Sequence, residues 1–136
     1  MKPSSLLVDT DVFIDYFNLG AWTSIFDSPD FLVHYSVVTE KELLARRGLS
    51  NSAREHIIAE LRRHRAVGLN RRILERYSAL RETYPRLEKE DALIAASALV
   101  RRIPLLTRNR KHFSTVAGLR LAEIDRIFPG RQSTRP

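Results

Sequence analysis

The sequence predicts an α/β domain built on a mostly parallel sheet that is covered on both faces. Three observations predict it. Short strand-like runs alternate with amphipathic helical stretches along the chain, the pattern that crossover units produce. The first run, Ser4-Ser5-Leu6-Leu7-Val8, is continuously apolar at its end, as a strand buried on both faces requires. The length of 136 residues suits one domain, which buries roughly two-thirds of the surface its unfolded chain exposes.

The elements follow in order. After the first strand comes Asp9-Thr10-Asp11, with Asp11 as N-cap of a helix through Val12, Phe13, Ile14, Tyr16 and Phe17 that closes near Gly20. Residues 21–31, with Trp22 and Phe26, read as a short helix and then a loop broken at Ser28-Pro29-Asp30. Residues 34–39 read as a second strand because Val37 and Val38 are β-branched. A helix carrying Leu43 and Leu44 follows and stops at Gly48. Residues 50–64 are helical, with Ala53, Ile57, Ile58 and Leu61 at helical spacing and arginines on the other face. Residues 66–69 form a weak strand. Residues 70–83 form an amphipathic helix with Ile73, Leu74, Tyr77 and Leu80 inward, ended before Pro85. Residues 87–100 are the clearest helix, acidic in the first turn and rich in Ala and Leu after it. Residues 103–107 and 119–124 complete the strands. The domain is expected over 1–128, with 129–136 as a flexible basic tail.

Composition removes several function classes. With no cysteine, disulfide frameworks, Cys-ligated zinc, iron–sulfur clusters and thiol nucleophiles are all excluded. No apolar run approaches the ~18 residues of a membrane span, and Met1-Lys2-Pro3 leads straight into the first strand rather than a signal peptide. A cytoplasmic protein without membrane contact is expected. The net charge of +7 is unevenly placed: residues 1–43 carry −5, 44–76 carry +6, 77–100 carry −1 and 101–136 carry +7. Nineteen of the 23 basic residues are arginine, whose planar fork suits phosphate. Such charge is the footprint of a polyanion-binding protein, set against the plainer reading of solvated helix faces.

In parallel sheets ligands bind outside the carboxyl ends of the strands. Asp9 ends the first strand, Glu42 opens the helix after the second, and Thr107 and Asn109 stand at the end of the strand over 103–107. Asp91, in the first turn of the helix over 87–100, joins them if that helix starts at the same edge. Hard divalent cations such as Mg²⁺ take oxygen ligands, few of them carboxylates, and keep several waters. Three carboxylates with a hydroxyl and an amide suit such an ion acting on phosphate. Each residue also has an ordinary reading: Asp91 complements the helix dipole, Asp9 caps, and Glu42 is an exposed helix residue. Asp11 is expected as a cap and Asp15 as a solvent-side residue. The joint pattern outweighs them, and close acids should leave at least one carboxyl with a raised pKa when no metal is bound.

Four stretches carry a family resemblance. Leu6-Leu7-Val8-Asp9-Thr10-Asp11-Val12-Phe13-Ile14-Asp15 resembles the opening of PIN-domain ribonucleases, and Ser36-Val37-Val38-Thr39-Glu40-Lys41-Glu42-Leu43 is similar to their second motif. Glu90-Asp91-Ala92-Leu93-Ile94-Ala95-Ala96-Ser97-Ala98 resembles the third, and Leu105-Leu106-Thr107-Arg108-Asn109-Arg110-Lys111-His112-Phe113 the fourth. Size and motif order are similar to the VapC-type toxins of toxin–antitoxin pairs. The resemblance implies an α/β/α sandwich and an Mg²⁺- or Mn²⁺-dependent endoribonuclease, usually a homodimer, with RNA as substrate and a small antitoxin protein as partner. It carries the metal-binding roles onto Asp9, Glu42 and Asp91, with Thr10 and Thr107 in support. One departure stands out: many relatives have a fourth acid where His112 stands here. Asn109 remains and can coordinate or hold a metal-bound water, but adds no charge, so one ion or two stays open. His112 itself reads as a surface histidine.

The residues agree with that chemistry, since no histidine or lysine pair is arranged for a metal-free ribonuclease route. Two other readings stand beside it. Asp9-Thr10-Asp11-Val12 also resembles the nucleophile motif of haloacid-dehalogenase-like phosphatases, but the later lysine and paired acids of that family are poorly matched by Lys2, Lys41, Lys89, Lys111, Glu123 and Asp125. A non-catalytic PIN-like module binding RNA or antitoxin is the second. In the ribonuclease reading, an arginine of the antitoxin plugs the acid pocket while apolar residues cover a groove beside Phe13 and Phe17.

Overall fold

The computed structural model describes residues 2–124. The flexible basic tail expected at 129–136 lies outside the described residues. In chain order the elements are β1 (Ser4–Val8), α1 (Thr10–Leu19), α2 (Thr23–Phe26), β2 (Phe31–Ser36), α3 (Val37–Leu44), α4 (Asn51–Leu61), β3 (Arg65–Val67), α5 (Arg71–Thr83), α6 (Lys89–Arg101), β4 (Leu105–Leu106) and α7 (Arg110–Phe113).

The four strands form one parallel sheet in the order β3-β2-β1-β4. Period-two alternation then sorts the core. Leu6, Val8, Val33, Tyr35 and Leu106 face one cluster with Val12, Phe13, Ile25 and Leu61, so α1, α2 and α4 cover that side. Leu7, Val67 and Leu105 face the other with Ile73, Leu80, Ile94, Ala95 and Phe113, so α5, α6 and α7 cover the second. This is the expected three-layer α/β/α sandwich. The central strand β1 is apolar at consecutive positions because both its faces are buried.

Several boundaries differ from the sequence expectation, each for a local reason. Asp9, not Asp11, caps α1: its backbone is extended and its carboxylate accepts from the Thr10 amide at 2.8 Å. Gly20 closes that helix in the left-handed region, as expected. Strand β2 runs over Phe31–Ser36, so Val37 and Val38 belong to α3. The Ser36 hydroxyl accepts from the Val38 amide at 3.0 Å, and this cap overrides the β-preference of two valines. Helix α3 ends at Leu44, before Gly48, which turns the later loop at φ 73. In α5, Leu74 is 44% exposed and does not point inward, unlike Ile73 and Leu80. The strand expected over 103–107 shrinks to two residues, because Pro104 has no N–H to give the ladder. The strand expected over 119–124 reduces to a single bridge between Leu121 and Leu105.

Candidate active site

Strands β1 and β2 and the helices that leave them put Asp9 and Glu42 at the carboxyl edge of the sheet. Asp9 sits at the tip of the central strand and is only 5% exposed. Its oxygens are held from two sides. One accepts from the Thr10 amide, and the other accepts from the Thr107 hydroxyl at 2.7 Å. Thr107 in turn accepts from the Asn109 amide at 2.9 Å, so the turn after β4 is tied to the tip of β1.

Glu42 is brought to the same place by Thr10, whose hydroxyl donates to Glu42 Oε1 at 2.7 Å. Thr10 and Thr39 hydroxyls also lie 2.9 Å apart. Thr10 has one proton, and the carboxylate can only accept it, so Thr39 is the donor in the second bond. Thr39 is fully buried and spaces α3 from α1. Sequence reasoning assigned it no role, although it lies in the second quoted motif.

Helix α6 does start at this edge. The carboxylates of Asp91, Glu42, Asp11 and Asp9 repel one another there. Burial first, and then the charge of Asp11, pushes the Asp9 carboxyl from its ordinary 3.8 up to about 7; Asp91 adds to this, while the bonds from Thr107 and Thr10 pull it down. Burial raises Asp91 as well, with Glu88, Glu42 and Asp11 adding and His112 opposing. Burial thus contributes more to both raised carboxyls than the repulsion between neighbouring acids does.

Asp11 and Asp15 differ from expectation. The Asp11 carboxylate accepts from the Arg108 amide at 3.2 and 3.3 Å, and burial raises its pKa. Asp15 is not solvent-side: it is 4% exposed and accepts from the Trp22 indole at 2.8 Å and the Arg108 guanidinium at 3.3 Å. Arg108 thus clamps the turn after β4 onto α1. It lies in the fourth motif, yet nothing in its spacing marked it, because its partners are nearly the whole chain away. His112 is on the surface, as expected, with its side chain 61% exposed. Its Nδ1 lies 2.8 Å from the side-chain nitrogen of Asn109 and 4.0 Å from Asp91 Oδ2. Phe13 is wholly buried against Phe26, at 4.9 Å between ring centres, so it lines no groove.

Among the described residues no three acid or histidine side chains are grouped closely enough to hold an ion between them. The donor set nevertheless fits a hard cation that keeps several waters and takes few carboxylates directly.

A profile of the PIN domain family matches residues 6–119. Ribonuclease VapC1 of Methanocaldococcus jannaschii is 27% identical over 117 residues, spanning 82% of this chain and 81% of that protein. A toxin–antitoxin complex from Klebsiella pneumoniae superposes with a TM-score of 0.70 at 27% identity, over 84% of this chain and 94% of that one. The VapBC2 complex of Rickettsia felis, bound to a DNA fragment from its promoter, superposes with a TM-score of 0.73 over 89% of this chain and 99% of that one; at 18% identity that likeness is one of fold. The matched span takes in Asp9, Glu42, Asp91 and Asn109 and covers most of the chain: the chain belongs to the PIN domain family.

Proposed function

We propose that this chain is the toxin of a toxin–antitoxin pair, an endoribonuclease that hydrolyses RNA phosphodiester bonds with Mg²⁺ or Mn²⁺ held by Asp9, Glu42 and Asp91. The observation that carries the reading is the cluster of mutually repelling acids at the sheet edge, half-buried Glu42 and Asp91 beside buried Asp9, whose carboxyl is pushed to about 7. When bound, the cation acidifies a water and neutralises charge growing on the phosphate oxygens. Thr107 and the Thr10 amide aim the two Asp9 oxygens, and Thr10 holds Glu42 beside them. Asn109, tied to Thr107 through its backbone, presents a neutral amide at the rim, suited to orienting a water. In-line attack of water on phosphorus, with departure of the ribose 3′ oxygen, leaves a 5′ phosphate and a 3′ hydroxyl.

Without metal the acid centre repels the RNA backbone, so metal and RNA binding are coupled. The test is cleavage of a labelled RNA by purified protein. Activity is expected with Mg²⁺ or Mn²⁺, lost with chelator, and abolished in Asp9→Asn and Asp91→Asn proteins that still melt cooperatively. Cleavage that survives chelator and both substitutions overturns the proposal; no cleavage by the unaltered protein under any metal favours the non-catalytic module.

An antitoxin partner belongs to the same reading, supported by toxin–antitoxin complexes among the related structures. Homodimerisation rests on the family resemblance, and a cytoplasmic location on the sequence, which has no apolar run of membrane length and no signal-peptide-like opening. No helix among the described residues is long and apolar enough to cross a membrane. Light scattering of the purified chain checks the dimer.

A further inference from the structure

A cavity of about 530 Å³ opens beside the acid centre, and the chemistry above does not use it. One wall is the connection between α5 and α6, with Tyr84, Arg86 and Glu88; the other is α7 and the turn after it, with Lys111, His112 and Thr115. Two of these residues join it to the acids. Glu88 acts electrostatically on Asp91, and His112 stands 4.0 Å from the same carboxylate.

The walls are held in place. The Tyr84 hydroxyl accepts from the Ala117 amide at 2.9 Å, and the Leu87 amide donates to the Tyr84 carbonyl at 3.0 Å. The Arg81 guanidinium donates to the Leu87 carbonyl. The volume lies within the range of preformed small-ligand pockets, ample for a nucleoside. The charge has the right sign as well: exposed Arg86 and Lys111 outnumber Glu88, whereas the adjoining centre is acidic. An aromatic ring with cations at the rim is what single-stranded nucleic acid uses, base on ring and phosphate on cation. A basic peptide would be repelled by the same rim.

We propose that this cavity holds one unpaired nucleotide of the RNA next to the bond being cut, with its base against Tyr84 and its phosphate met by Lys111 and Arg86. The proposal rests on the ribonuclease reading for its substrate. A base seated there has left any helical stack, so unpaired RNA is preferred over duplex.

The test uses Thr115→Trp, which fills the cavity from an exposed position, and Lys111→Glu, which reverses the rim charge. Binding is read by fluorescence anisotropy of a short labelled single-stranded RNA, and of the same RNA annealed to its complement, with Mg²⁺ present and cleavage-resistant phosphorothioate linkages so that nothing is cut. Each variant should weaken single-strand binding, and raise KM with little change in kcat, by about tenfold or more. Thr115→Trp should leave duplex binding unchanged. If both variants bind and cut single-stranded RNA like the unaltered protein, the cavity proposal falls while the ribonuclease reading stands. If the unaltered protein cuts nothing but the variants lose single-strand binding, the ribonuclease reading falls and the cavity stands. If RNA binding is unchanged and only inhibition by the antitoxin weakens, the cavity belongs to the partner protein and the proposal is overturned.

Discussion

Asp9 does two jobs that pull against each other: it caps α1 and it anchors an acid centre that burial disfavours. Its carboxyl lies at about 7 instead of 3.8, so the folded protein holds that proton more tightly than the unfolded chain does. The contribution of this group to stability is therefore full below its unfolded pKa and is lost as pH rises toward 7, a span worth roughly 4 kcal/mol. In chelator, melting temperature should fall between about pH 4 and about pH 7 in the unaltered protein, and the slope should flatten in Asp9→Asn. Saturating Mn²⁺ should restore stability at the upper pH by binding the folded state. A melt indifferent to Mn²⁺ would count against a preformed site. Thr107 supplies a second test. Thr107→Val removes the hydroxyl that lowers the Asp9 pKa, so the acidic limb of the pH–rate profile should move to higher pH, with stability lost by about 1–3 kcal/mol. Thr107→Ser should recover most of both.

At the scale of elements, the site depends on where helices begin. Helix α3 carries Glu42, and it begins at Val37 only because Ser36 caps it. Ser36→Ala should cost about 1 kcal/mol and lower cleavage beyond what the stability loss explains, since Glu42 then loses its register against Thr10. A melt and an assay on the same preparation separate the two effects. The contact between α1, α2 and the turn after β4 is a second control point. Trp22, at φ 72, and Arg108 both donate to buried Asp15. Trp22→Phe keeps the ring's bulk but removes one donor from a buried carboxylate, and should cost about 1–3 kcal/mol in a denaturant titration.

Along the whole chain, charge is divided between an acidic opening and arginine-rich later stretches. Residues 44–76 carry +6 and residues 101–136 carry +7. RNA affinity should therefore fall steeply as salt rises, with a log–log slope that lessens by about 0.7 for each phosphate-contacting arginine of α4 or α5 removed. The acid centre itself calls for a cation, and an antitoxin arginine can engage two carboxylate oxygens at once. Replacing that arginine with glutamate should relieve inhibition of the intact complex. Undiminished inhibition would leave simple steric cover as the mechanism.

The sequence alone determined the α/β class and most of the helices and singled out the candidate acids, because burial on two faces, helical periodicity and the four ordered motifs are properties of neighbouring residues. Asp9 and Asp91 were legible as candidates in this way, and so was Asn109. The tertiary structure decided what those residues experience. Asp15 looked solvent-facing because a helix's polar positions usually are, yet Trp22 and Arg108 close over it. Val37 and Val38 looked like strand until the cap at Ser36 outweighed their side-chain preference. The clamp from Arg108, the brace from Thr39 and the cavity beneath Tyr84 all join parts of the chain far apart in sequence. Local pattern carries no record of such pairings, since they form only when the sheet brings the ends of its strands to one edge.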